Sequence, residues 1–301
     1  MRVLTHIVTA EESGAKLLRL LRGTLHLSYS LVQSLKWRSG AIQVNGENST
    51  VARIVHCGDV ITVNITDNGE ISPHITPIDL PLDILYEDDD LLILNKSAGM
   101  AVHSAAATEE TVTVAGAVAH HLGGAPFHPV NRLDKGVSGI MTVAKSGHVH
   151  DRCMRLLHTE QFRREYRGIC HGCPQPPQGE ITLPIGRDET SLFRRRIDPQ
   201  GQPAKTCYKV LEKGDLSLLL LRPVTGRTHQ LRLHCAALGC PLAGDWLYGT
   251  EEPWLIARPA LHSYELWLRH PLTGAEIHLI APLPEDMGRL ISPPFPLISP
   301  C

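Results

Sequence analysis

The strongest constraint on the fold is a short stretch in the middle of the chain, residues 131–144. It reads NRLDKGVSG and continues into the apolar run IMTVA. Arg, Asp and Lys stand within four positions, and small residues lead into a run that is typical of a buried strand. Asp134 is therefore expected in a tight loop before that strand, where the scaffold fixes the direction of its carboxylate. The alternative is a surface turn whose Asp and Gly serve backbone geometry only.

The same stretch resembles the HRLDxxTSG motif of the RluA-type pseudouridine synthases. Two further motifs of that family follow in order, REY at residues 164–166 and GRTHQLRLH at residues 226–234. Asn131 stands where the family usually has His, and Val137 where it usually has Thr. Neither is the nucleophile position, but the loss of two polar groups bears on rate and substrate choice.

The resemblance implies that the chain isomerises specific uridines in structured RNA to pseudouridine, with Asp134 as the nucleophile. This Asp would add to uracil carbon 6 or act at ribose carbon 1′, and both routes stay open. Arg232 is expected to keep the carboxylate ionised and to orient it by bidentate bonding. Tyr166 is expected to pack on the base. The residues alone leave open that Arg232 is a helix-surface charge and Tyr166 a core aromatic.

Contacts to the substrate are expected from three further residues, Arg132, Arg227 and His229. The target uridine has to leave its stack, and Arg132 is placed to fill the vacated space or to grip a flanking phosphate. The reaction has no redox or phosphoryl-transfer step, so no cofactor is expected. The second possibility is an RNA-binding protein with weak catalysis on the same scaffold. A hydrolase is disfavoured because residues 136–140 miss the GxSxG pattern.

Upstream, residues 14–39 carry apolar positions at helical spacing and are predicted to form two short helices. The runs 41–44 and 60–63, with a turn pair at 45–46, predict a small β unit. This order resembles the S-four-like RNA-binding domain, named after a ribosomal protein. Its basic helical face would meet RNA phosphates, with the candidate residues Lys16, Arg19, Arg22, Lys36 and Arg38. The alternative is a solvated face of amphipathic helices.

The predicted fold class is α+β. Residues 1–75 form a small α/β RNA-binding domain and linker, and residues 76–301 form the catalytic domain. The catalytic domain should have a mixed, largely antiparallel sheet, flanking helices and a central cleft. Within it we predict a hairpin at 84–96 and helices near 112–122 and 147–160. The Pro-rich tail after residue 282 is expected to be peripheral.

Composition limits the partners. The formal charge of −2 gives no global case for nucleic-acid binding, so RNA contact has to rest on local basic patches. No apolar stretch approaches the roughly 20 residues that cross a bilayer, and we expect a cytoplasmic monomer with reduced thiols and no obligate protein partner. Cys170 and Cys173 have the spacing of a zinc knuckle but lack a good second pair, so no metal site is expected. The two-domain layout favours ribosomal RNA over transfer RNA as substrate.

Overall fold

A computed structural model describes residues 2–66, 72, 74–104, 112–157, 159–191 and 193–291. Residues 67–71 and 73 of the predicted linker and the end of the Pro-rich tail (292–301) lie outside the described residues. The strands are β1 (Val3–Ile7), β2 (Ile42–Val44), β3 (Glu47–Asn48), β4 (Val60–Asn64), β5 (Ile84–Glu87), β6 (Leu91–Lys96), β7 (His128–Pro129), β8 (Ser138–Ala144), β9 (Phe162–His171), β10 (Gln178–Ile181), β11 (Ile185–Arg187), β12 (Arg195–Ile197), β13 (Thr206–Glu212), β14 (Leu216–Pro223), β15 (Leu261–Arg269) and β16 (Glu276–Ile280). The helices are α1 (Leu17–Arg22), α2 (Tyr29–Lys36), α3 (Val114–His121), α4 (Gly147–Leu156), α5 (Gln230–Ala237) and α6 (Glu285–Gly288).

The N-terminal residues build a four-stranded antiparallel sheet in the order β1-β4-β2-β3. The apolar faces of α1 and α2 pack on it and share one hydrophobic cluster with its strands, among them Leu17, Leu21, Val32 and Ile61. Burying these side chains stabilises the unit, since each is worth about 1.5–3 kcal/mol when fully removed from water. The separate cluster supports a distinct N-terminal domain. Its boundary at residue 75 and its S-four-like character stay predictions.

A second sheet has ten strands, and β11 and β12 pair separately as a two-stranded sheet. The main path of the ten-stranded sheet runs β10-β13-β14-β9-β15-β8-β6-β5, with β16 beside β15 and β7 beside β8. Every pairing in it is antiparallel except that of β8 with β15. The predicted fold class, a mixed and largely antiparallel sheet with flanking helices, is confirmed.

Strand β8 is the central strand that the sequence analysis started from. All seven of its residues are buried, and successive side chains enter different clusters. Met141 and Val143 point into one core cluster, while Ile140 and Ala144 point into the other. A strand covered on both faces reads as a continuous apolar run. The loop that carries Asp134 is therefore attached to the most buried strand of the domain.

The start of β8 requires a glycine. Gly139 has a φ of +106°, and a Cβ there would fall 2.2 Å from the carbonyl oxygen of Ser263 on β15. Only a residue without a side chain lets the two strands approach this closely. The close approach fixes where the preceding loop leaves the sheet.

The predicted helices have slightly shorter bounds in the structure. The helix expected near 112–122 is α3, and the helix expected at 147–160 is α4, which begins at a Ser146 cap that accepts a hydrogen bond from Val149 N at 3.3 Å. Helix ends commonly fray by one or two residues. None of the helices in the described part of the chain is both long enough and apolar enough to cross a membrane.

Candidate active site

A cleft of about 730 Å³ opens on one face of the large sheet. It lies between the loop before β8, strand β9, helix α4 and the segment from the end of β14 into α5. It brings together six residues that the sequence predicts as catalytic or substrate-binding: Arg132, Asp134, Tyr166, Arg227, His229 and Arg232. The predicted N-terminal residues Lys16, Arg19 and Arg38 do not line it.

The loop that holds Asp134 is fixed by backbone contacts on both sides. The carbonyl of Asp134 accepts from Val137 N at 3.0 Å, and the carbonyl of Lys135 accepts from Gly99 N at 2.8 Å. Lys96, which is 3% exposed, donates to the Lys135 carbonyl at 3.3 Å and to two further carbonyls. Burial lowers the pKa of Lys96 to about 8, while the charge of Asp134 opposes that change. This buried lysine is a site residue that the sequence analysis missed.

The two departures from the family motif have clear structural roles. Asn131 is buried, and its Oδ1 accepts from Thr142 N at 2.8 Å, so its side chain ties the loop to β8. Val137 is 2% exposed and packs in the main core cluster. The amide of Asn131 and the apolar side chain of Val137 therefore hold the loop in place.

Arg232 approaches Asp134 with one nitrogen only. Its Nη1 lies 3.4 Å from Asp134 Oδ2, while Nε and Nη2 bond both oxygens of Asp245 at 2.8 and 2.7 Å. The bidentate contact expected with Asp134 is thus made with Asp245, which is fully buried. Burial would lower the pKa of Arg232, but hydrogen bonds and charges from Asp245 and Asp134 raise it above its ordinary value. The guanidinium is a fixed cation at the floor of the cleft.

His229 is the residue before α5 and has a positive φ of 57°. Its Nε2 lies 3.9 Å from Asp134 Oδ2, and its Nδ1 lies 2.9 Å from the hydroxyl of Tyr248. Burial lowers the pKa of His229, as do the nearby charges of Arg232 and Arg195, although Asp134 raises it. A lowered pKa favours neutral imidazole near neutral pH.

Strand β9 presents Tyr166 and Arg164 to the cleft from one face, two positions apart. Tyr166 is 5% exposed, and Arg164 is 8% exposed. The Nε of Arg164 has no hydrogen-bond partner among the described residues. A buried donor of this kind is costly unless a ligand pairs with it, so Arg164 is a further candidate for RNA contact.

The two remaining cleft arginines are exposed. Arg132 directly precedes the Leu133-Asp134 pair on the loop, and Arg227 follows β14. Arg227 Nε donates to the Pro203 carbonyl at 3.0 Å, which holds its side chain beside the opening. Both line the cleft with exposed side chains.

Near the N-terminus, Lys16, Arg19 and Arg22 are exposed and share one shallow concave surface. Arg38 differs, because its guanidinium donates to the carbonyls of Asn64 and Thr66 at the end of β4. Its structural role removes it from the set of phosphate-binding residues that we propose below.

Outside the cleft, one group of three metal-type ligands occurs in the described residues: Asp88, Asp90 and His270. His270 Nδ1 accepts from two backbone N–H groups at 3.2 and 3.1 Å. In neutral His270 the proton is therefore on Nε2, which lies 3.0 Å from Asp88 and offers no lone pair to a metal. Arg2 bonds Asp90 at 2.6 Å. We interpret the group as an Arg2–Asp90 ion pair with His270 beside it.

Comparisons with known proteins agree on one family. A family model described as RNA pseudouridylate synthase matches residues 90–237. An uncharacterized RNA pseudouridine synthase of Bacillus subtilis is 36% identical over 274 residues, which cover 89% of this chain and 96% of that protein. The ribosomal large subunit pseudouridine synthase D of Vibrio parahaemolyticus is 36% identical over 305 residues, covering 95% and 92%. The solved structure of human RNA pseudouridylate synthase domain containing 1 has a TM-score of 0.55 at 28% identity, and the match covers 67% of this chain and 83% of that one.

The region of the family model contains the loop of Asp134, the strand of Tyr166 and the helix of Arg232. The sequence relatives match over nearly their whole length. The chain belongs to the RNA pseudouridylate synthases, as a member of RluA type that isomerises uridine in RNA.

Proposed function

We propose that Asp134 is the nucleophile of this pseudouridine synthase, that Arg232 keeps it ionised, and that Tyr166 packs on the uracil. The observation that carries the proposal is their meeting in one cleft, although they come from three separate segments of the chain. Asp134 combines a partly exposed carboxylate with a guanidinium 3.4 Å away. Such a cation opposes the tendency of a pocket to neutralise a carboxylate.

The reaction needs an ionised carboxylate and a pocket that holds the base. The bond from ribose carbon 1′ to uracil nitrogen 1 breaks, the base turns, and carbon 1′ bonds to carbon 5. Nitrogen 1 gains a proton and the hydrogen on carbon 5 leaves as a proton, so no oxidant or reductant is consumed. Asp134 forms the transient bond, either at uracil carbon 6 or at ribose carbon 1′. The walls of the cleft hold the detached base until it is rejoined.

Two other carboxylates, those of Asp88 and Asp90, fit this chemistry less well. Asp90 is 3% exposed and is bonded by Arg2, while Asp88 accepts from the Tyr86 hydroxyl at 2.6 Å. Neither residue lines the cleft. A nucleophile has to reach its substrate, and of these carboxylates only that of Asp134 opens onto the space where a base fits.

The substrate that we propose is structured ribosomal RNA. Its support is the relative whose name specifies the ribosomal large subunit, together with basic side chains at two places on the surface. Arg132 and Arg227 flank the opening of the cleft, and Lys16, Arg19 and Arg22 lie on the N-terminal domain. Flipping the uridine out of its stack costs a few kcal/mol, and phosphate contacts from these side chains would offset that cost.

We further propose a monomer that acts in the cytoplasm and needs no protein partner. The seven cysteines in the described part of the chain are free thiols, which fits a reducing compartment.

The test uses RNA that carries tritium at carbon 5 of uridine, since formation of pseudouridine releases that hydrogen to water. Wild-type protein should release tritium from ribosomal RNA transcripts and less from transfer RNA. Asp134→Asn should keep the fold and release none, because an amide cannot act as an anionic nucleophile. Asp88→Asn is the matched control and should stay active. Release by Asp134→Asn at near wild-type rate, or loss of activity only in Asp88→Asn, would overturn the assignment.

A further inference from the structure

Tyr248 lies beside the cleft in the loop after Asp245, where it contacts two cleft residues and the backbone of β12. Its ring is 5.3 Å from the guanidinium carbon of Arg232 and makes an edge contact with the His229 ring at 5.7 Å. Its hydroxyl lies 2.8 Å from the backbone N of Arg195 and 2.9 Å from His229 Nδ1. No motif in the sequence analysis included this tyrosine.

The hydrogen-bond roles at the hydroxyl follow from its two partners. The backbone N–H of Arg195 can only donate, so the oxygen of Tyr248 accepts there. The hydroxyl has one proton of its own, and His229 Nδ1 is the acceptor within reach. When Tyr248 donates to Nδ1, a neutral imidazole carries its proton on Nε2.

The far side of the ring favours the same tautomer. Nε2 of His229 faces the Asp134 carboxylate at 3.9 Å. With the proton on Nδ1 instead, an imidazole lone pair would face that negative charge, and the two would repel. Both ends of the ring therefore select Nε2–H, and the buried surroundings disfavour the doubly protonated form.

We propose that Tyr248 is a positioning residue that holds His229 in the Nε2–H tautomer, with that N–H directed at the Asp134 carboxylate. The histidine then offers a neutral donor to Asp134, or to a uracil or ribose oxygen that takes up the space between them. The catalytic meaning of this donor rests on the proposed function of Asp134. The tautomer itself does not, so the two can be tested separately.

The tautomer is tested by nitrogen NMR of the full chain with ¹⁵N-labelled histidine at pH 7.5, without RNA. Wild-type His229 should show an unprotonated, hydrogen-bonded Nδ1 and a protonated Nε2. Tyr248→Phe keeps the ring over Arg232 and removes only the hydroxyl, so the Nδ1 resonance should move to the position of an unbonded or a protonated nitrogen. A protonated Nδ1 in the wild type, or an Nδ1 resonance unchanged in Tyr248→Phe, would overturn the proposal.

A second measurement asks whether Tyr248 acts through His229. The single-turnover rate of Tyr248→Phe should fall about 3- to 10-fold, the worth of one hydrogen bond, with little change in RNA affinity. His229→Gln places an amide N–H near the position of Nε2, and adding Tyr248→Phe to it should cost little more. The control is Tyr208→Phe, which removes a hydroxyl bonded to the Pro176 carbonyl away from the cleft. Equal losses from Tyr248→Phe in both backgrounds would show that Tyr248 acts elsewhere.

Discussion

Asp245→Asn is the substitution whose cost the structure defines best. The Asp245 side chain has no exposed surface and bonds Arg232 through both oxygens. Its Oδ1 also accepts from the backbone N of Leu247 at 3.1 Å and of Tyr248 at 3.3 Å. The carboxylate therefore joins the first turns of α5 to the loop that follows the helix.

The loss of stability is estimated from the cost of leaving the Arg232 cation without its buried partner. Removing one member of a buried ion pair costs about 3–5 kcal/mol. Asparagine keeps one acceptor oxygen, so the free energy of unfolding should fall by about 3 kcal/mol, near the lower end of that range. Asp151→Asn is the matched control, since Asp151 pairs with Arg155 at 2.7 Å on the exposed face of α4. That change should cost less than about 1 kcal/mol.

The assay is urea unfolding followed by tryptophan fluorescence, because Trp246 directly follows Asp245. Replacing the pair with two apolar residues, Arg232→Met with Asp245→Leu, should recover part of the lost stability, since no fully buried charge is left unpaired. A loss below about 1 kcal/mol for Asp245→Asn would refute the reasoning, because surface pairs already reach that value.

Two further predictions concern the N-terminal domain and the response to acid. A triple variant with Gln in place of Lys16, Arg19 and Arg22 should bind RNA more weakly, and the slope of log K against log salt should become shallower by about 2 to 3. The control Lys209→Gln should leave that slope near the wild-type value. An unchanged slope in the triple variant would count against phosphate contacts at this surface. His148 is 2% exposed, and burial, then Arg152, lowers its pKa to about 4, so the unfolded chain takes the proton first. The free energy of unfolding should therefore fall between pH 6.5 and 4, by on the order of 3 kcal/mol from this group, and urea midpoints of His148→Leu should lack that part of the fall.

Local pattern in the sequence predicts the elements whose stability is also local. The hairpin expected at 84–96 is β5 and β6, and the helical periodicities place α3 and α4 within a few residues. Strand β1 was not predicted. Its five residues alternate between exposed and half-buried, and it exists because it pairs with β4, nearly sixty residues later in the chain. Such pairing is set by tertiary contact, and short segments do not show it.

The residues of the site likewise fall into those that the sequence predicts and those that it does not. Asp134, Tyr166 and Arg232 were identified through family motifs, and the structure places them in one cleft. Asp245 and Tyr248 lie in a loop with no periodicity, beyond the region that the family model matches. What marks them is contact across the cleft, which the order of residues does not reveal. The positive charge of Arg38 predicted a contact with RNA, yet its guanidinium donates hydrogen bonds to the carbonyls of Asn64 and Thr66.

The sharing of Arg232 between two carboxylates suits the proposed nucleophile better than the simple pair expected from sequence. A bidentate bond to Asp134 would occupy both of its oxygens and stabilise the ground state that has to react. Asp245 makes the bidentate bond instead, so only Arg232 Nη1 approaches Asp134 Oδ2, at 3.4 Å. This distance is close enough for charge compensation but beyond the length of a good hydrogen bond. Two carboxylates and one guanidinium leave a net charge of −1, and the buried Lys96 is the nearby cation that opposes it. Asp245→Asn should therefore slow the single-turnover step even where the fold survives, because the bidentate contact that fixes the guanidinium in this geometry is lost.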